Sequence, residues 1–167
     1  MLSINFLVIA LAALIPLAIG SVWYSEKVFG KAWMQVSGVT PDQSKSAHMI
    51  RTFILTYVFS FLMGMTLTFI VIHQFGMFST LANEPGFMEP GSDVNNYFMD
   101  FISKYGTNFR TFKHGAFHGT FTGITIALPV LAINAMFEKK GFKYIAINAG
   151  YWIVTMALMG GVICAYN

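Results

Sequence analysis

The chain has 167 residues, 56% of them hydrophobic and 10% charged, where soluble domains carry about 25% charged residues. A globule of this size buries only part of its surface, so this composition excludes a water-soluble fold and calls for a covering of lipid. A net charge of +3 without a basic stripe excludes a nucleic-acid partner, and the lone Cys164 excludes an intramolecular disulfide or a cysteine metal site.

A membrane-crossing helix needs about 20 consecutive apolar residues. Four stretches free of Asp, Glu, Lys and Arg reach that length: Met1–Ser25, Thr52–Asn83, His114–Phe137 and Tyr144–Asn167. They predict an all-α integral membrane bundle of four transmembrane helices in a single domain over residues 1–167, with spans near 3–24, 52–73, 112–137 and 144–166. The first run lacks a basic start and flows into Trp23 and Tyr24, an interfacial aromatic pair, which favours a retained span over a cleaved signal. Pro16 in the first span and Pro129 in the third remove a backbone donor and should kink or loosen their helices.

The connecting segments have patterns of their own. Val28, Phe29, Ala32, Trp33 and Val36 share one face, which predicts a short helix lying on the membrane surface. Thr40-Pro41-Asp42-Gln43 reads as a helix start, so the second helix is expected to begin ahead of the bilayer. In loop 74–111, Pro85, Gly86, Pro90 and Gly91 break structure. Val94, Tyr97, Phe98, Phe101, Ile102 and Tyr105 then recur at helical spacing, an amphipathic helix capped by Ser92 or Asp93 and ended by Gly106. Loops of that length are often lids.

Basic residues set the expected orientation. Seven (Lys27, Lys31, Lys45, Arg51, Lys139, Lys140, Lys143) flank the first and third loops, and three (Lys104, Arg110, Lys113) flank the second. The positive-inside tendency then puts loop 74–111 and both termini outside the cytoplasm, in the inner membrane if the source is bacterial.

In lipid, helices approach through small residues. Gly115, Gly119, Gly123 and Ala127 form a ridge on the third span. Thr52, Thr56, Ser60, Gly64 and Thr68 form a small, weakly polar stripe on the second, and the two are expected to pair. Gly150, Gly160, Gly161 and the polar Asn148 serve the fourth span, and packing accounts for all of these residues.

The segments Trp23-Tyr24-Ser25, Phe29-Gly30, Trp33-Met34 and Ile147-Asn148-Ala149-Gly150-Tyr151-Trp152, with Met159-Gly160-Gly161, resemble an uncharacterised membrane family, domain of unknown function 1761. The resemblance covers nearly the whole chain. It implies a four-helix membrane protein and supplies no activity, and the histidines of the third span inherit no role from it.

Ionisable groups within a membrane call for a functional hypothesis. His114 and His118 lie one turn apart on one helix face beside Thr122 and Thr125, and His73 ends the second span at the same side. Neutral imidazole ligates zinc, copper and nickel, so His73, His114 and His118 are the candidate metal ligands and a transition metal the candidate cofactor. The same rings can carry protons, or simply bond neighbouring carbonyls. A haem held by His114 and His118 together is geometrically poor, because ligands on opposite faces of the iron cannot come from adjacent turns of one helix, and His48 reads as a solvated surface residue.

Three readings stand open: a small-molecule, ion or proton binding or transport protein; an accessory subunit of a membrane complex; and a metal-binding membrane protein. Expected partners are lipid and either further copies of the chain, joined through exposed glycine ridges, or a larger complex. Catalysis has the least support, since no Ser-His-Asp set, paired intramembrane carboxylates or phosphate-cradling loop is present.

Overall fold

The structure is a computed structural model that describes residues 2–40 and 49–167. Pro41, Asp42, Gln43, Lys45 and His48 therefore lie outside the described residues. Among those described, every regular element is helical, and four helices are long and apolar enough to cross a membrane: Phe6–Trp23, Met49–Val71, Phe112–Phe137 and Phe142–Tyr166. Large apolar side chains such as Phe6, Leu7, Phe53, Ile54, Phe59, Phe117 and Val130 project outward, as a bundle bathed in lipid requires. The chain is an integral membrane helical bundle.

The first span consists of α1 (Phe6–Ala12) and α2 (Ile15–Trp23). The break at residues 13–14 follows from Pro16, whose ring nitrogen cannot donate to the preceding turn; Leu14 N–H makes a tight bond to Leu11 O at 3.1 Å instead. α3 (Gly30–Ser37) follows, then α4 (Met49–Val71), the second span. After a turn at Ile72–His73 come α5 (Gln74–Leu81) and the amphipathic α6 (Asp93–Tyr105). The third span is α7 (Phe112–Thr122), a π-helical turn at Gly123–Ala127, and α8 (Leu128–Phe137). The expected loosening at Pro129 takes the form of that turn, in which Leu128 N–H reaches back to Gly123 O. α9 (Phe142–Tyr166) is the fourth span.

α9 is the hub of the bundle. Tyr151 donates its hydroxyl to Pro16 O at 2.8 Å, clasping the break in the first span. Towards the second span, Met159 and Ile163 face Gly64, where an added Cβ would also meet Ile9 of the first. Against the third, an added Cβ at Gly115, Gly119 or Gly123 would strike Gly160 O, Met156 O or Ile153 Cα respectively. The expected pairing of the second and third spans is thus overturned: the glycine ridge packs on α9. Gly160 supplies the reason, because a bare backbone opposite Gly115 allows an approach that the Ser/Thr stripe of α4 does not. Within that stripe Thr56 is half-buried, while Ser60, Gly64 and Thr68 are buried. The ridge, consumed inside the chain, is also not exposed for contact between copies.

The end of the bundle that carries both Leu2 and Asn167 is the upper end. There Asn5 N–H donates to Asn167 Oδ1 at 2.8 Å, and Asn167 Nδ2 donates to Ser3 O at 3.1 Å. Ala12, Leu67, Val71, Ile72, Phe75, Met159, Ile163 and Cys164 fill the interior. Ser92 caps α6 by accepting from Asn95 N–H at 3.2 Å, and Gly106 ends it. Phe98 of α6 packs on Phe87 and Phe78 with ring centroids 5.2 and 6.0 Å apart, fixing the helix over α5. At the lower end α3 is not merely laid on a surface. Its Trp33 turns inward against Tyr24, ring centroids 5.3 Å apart, while Val28 and Phe29 remain exposed.

Candidate metal centre

Three imidazoles meet at the upper end, each delivered by a different local device. Thr111 caps α7 by accepting from His114 N–H at 3.2 Å, which fixes His114 in the first turn. His118 follows one turn on, its ring centroid 4.5 Å from that of His114. His73 does not end the second span as a helical residue. It occupies the turn between α4 and α5, and its ring comes across to α7.

His73 Nε2 is 3.0 Å from His114 Nε2 and 3.2 Å from His118 Nε2. One ligand atom from each ring falls within a 4.8 Å cluster, and no carboxylate or cysteine joins it among the described residues. His73 is exposed and the other two are half-buried. Thr122 and Thr125 belong to the same helix but direct their hydroxyls to His118 O and Phe121 O, both at 2.8 Å, and so serve the helix rather than the cluster.

Two residues that the sequence patterns did not single out hold this arrangement. Gln74, buried beside His73, donates through Nε2 to Tyr105 O and Asn108 O, each at 3.0 Å. It ties the His73 turn to the end of α6. Phe109 adopts a left-handed backbone, φ 61°, which is costly for a bulky residue. Its carbonyl accepts from Cys164 Sγ at 3.3 Å and its ring stacks obliquely on His114 with centroids 5.1 Å apart. His73, Gln74, Phe101, Tyr105, Asn108 and Phe109 line a pocket of about 350 Å³ beside the histidines. Arg110, counted above only for its charge, donates to Cys164 O at 3.1 Å and to Asn167 O, closing the last turn of α9.

Asn148 lies at the opposite end of the bundle from the histidines. Its Oδ1 accepts from Tyr24 Oη at 3.0 Å and from Trp33 Nε1 at 3.2 Å, and its Nδ2 donates to Tyr144 O at 2.8 Å. Trp23 Nε1 donates to Ile147 O at 3.0 Å, and the Trp23 ring covers Gly150. Burial, with smaller contributions from Tyr151 and Tyr144, pushes the Tyr24 phenol well above its ordinary range. These groups satisfy one another, so this end is a structural clasp. Asn134, by contrast, is exposed.

Four apolar helices, the first and last tied together by this clasp at one end and three histidines gathered at the other, define an integral membrane bundle. The family model described as "Protein of unknown function (DUF1761)" matches residues 7–164, and the chain belongs to that family. No curated protein and no solved structure matches it. Trp23, Tyr24 and Trp33 on one side and the Ile147–Trp152 stretch on the other, segments that carry the family resemblance, form the two halves of the Asn148 clasp.

Proposed function

We propose that the protein binds a divalent first-row transition ion, of which zinc is the simplest case, through Nε2 of His73, His114 and His118. The observation that carries the reading is the convergence of three ring nitrogens on one point. Each Nε2 has a single in-plane position, holding either a proton or a lone pair. Two such atoms can share one proton, and the third is left competing for the same lone pair. One cation serves all three lone pairs at once. A tetrahedral ion about 2.0–2.1 Å from each nitrogen sets its ligand atoms about 3.3–3.4 Å apart. His73 stands 3.0 and 3.2 Å from its two partners, and all three ligand atoms lie within 4.8 Å of one another, so modest side-chain adjustment brings them to that spacing.

Ion binding is the form of the binding-or-transport reading that the geometry supports best. The bundle interior below the histidines is filled by Leu67, Val71, Ile72, Met159 and Ile163, which favours capture at one end over passage through the chain. With the basic loops on the cytoplasmic side, the site opens to the opposite compartment.

Zinc titration calorimetry on the protein in lipid nanodiscs tests this. The expected result is saturation at one ion per chain, with His73→Ala, His114→Ala and His118→Ala each weakening binding by about tenfold or more, since even loss of a supporting contact to a ligand costs that much. Weak, unsaturating binding that the three changes leave alone would refute it.

A further inference from the structure

The pocket next to His73 is walled by three aromatic rings, Phe101, Tyr105 and Phe109, and its volume of about 350 Å³ falls at the small end of the range for small-molecule sites. The Gln74 amide nitrogen is committed to Tyr105 O and Asn108 O, which ties the His73 turn to the end of α6 beside the pocket. Three neutral imidazoles leave a divalent ion its full charge, and no described carboxylate or thiolate joins the cluster to offset it. Three protein ligands also leave a tetrahedral ion one open position, and an anionic oxygen is the natural occupant.

Building on the metal reading, we propose that the pocket takes a small amphiphilic carboxylate. The carboxylate oxygen completes the ion's coordination, and the hydrocarbon body lies against Phe101, Tyr105 and Phe109. A site at the membrane boundary suits such a molecule, whose apolar part approaches from lipid while its charged group reaches a cation at the interface.

The test uses the full chain in zwitterionic nanodiscs loaded with Co²⁺, whose visible absorption reports its coordination. Acetate and octanoate are titrated into wild type, Phe101→Ala and Tyr105→Ala. Octanoate is expected to shift the cobalt band at a concentration about tenfold or more below acetate in wild type, because several methylenes leave water. That preference should shrink in both variants, while the ligand-free band and the acetate response stay unchanged. Partition of octanoate into the bilayer is common to all three proteins and cannot produce the difference between them. A cobalt band that forms but shows the same chain-length preference in wild type and variants overturns the pocket and leaves the metal site standing. Failure of any histidine-dependent band to form overturns both.

Discussion

Gly115 and Gly160 pack backbone against backbone: a Cβ built on either would strike the carbonyl oxygen of the other. The contact sits at the upper end of the interface between the third span and α9, which Gly119 and Gly123 continue downward, and it tolerates no side chain. Gly160→Val and Gly119→Leu are therefore expected to destabilise the fold by about 1–3 kcal/mol or more, the range for overpacked interiors. Gly76 has open space around the corresponding Cβ position, so Gly76→Ala should be neutral or slightly stabilising. Unfolding midpoints in mixed micelles compare the three directly, and equal midpoints would contradict the packing.

Asn148 satisfies two donors, Tyr24 just past the first span and Trp33 of α3, with a single oxygen. Asn148→Leu leaves the Tyr24 hydroxyl and the Trp33 indole without that partner, and should cost about 1–3 kcal/mol. Tyr24→Phe removes only one of the bonds and should cost less, about 0.5–1.5 kcal/mol. The two effects should be non-additive in a double-mutant cycle, because they share one bond.

The raised Tyr24 phenol makes an alkaline prediction. Unfolded, the group ionises near its ordinary value of 10.0; folded, it holds its proton to higher pH. Its contribution to stability is fully present below that value and is lost as pH rises above it, since only the unfolded state gives up the proton. The stability of wild type should thus fall more steeply above about pH 10 than that of Tyr24→Phe. Parallel curves would show that the phenol is not shielded.

Arg110 holds the last carbonyls of α9 through Cys164 O and Asn167 O. Arg110→Gln shortens that reach and removes the charge, and amide exchange should quicken in residues 163–167 while the middle of α9 stays protected. Unchanged exchange at that end would show that the helix does not depend on the guanidinium.

The spans were legible because lipid imposes a length and an apolar composition that sequence displays openly, and four helices of that kind are present. The Ser92 cap and Gly106 stop were legible for a similar reason, each being a local device. The partner of the glycine ridge was not. Small residues mark a close approach without naming who approaches, and every span carries some. The inward turn of Trp33 and the brace supplied by Gln74 were hidden too, since both depend on carbonyls and amides contributed by distant elements. The i, i+4 spacing announced the common face of His114 and His118, but the approach of His73 rests on a break after Val71 that no proline or glycine signals.

Native mass spectrometry of the protein released from metal-replete membranes asks whether three histidine nitrogens hold one ion. The expected spectrum shows a species carrying one transition ion per chain, with that mass absent from the His114→Ala/His118→Ala double variant. A metal-free wild type, or a bound ion that the double variant retains, would contradict the three-histidine site.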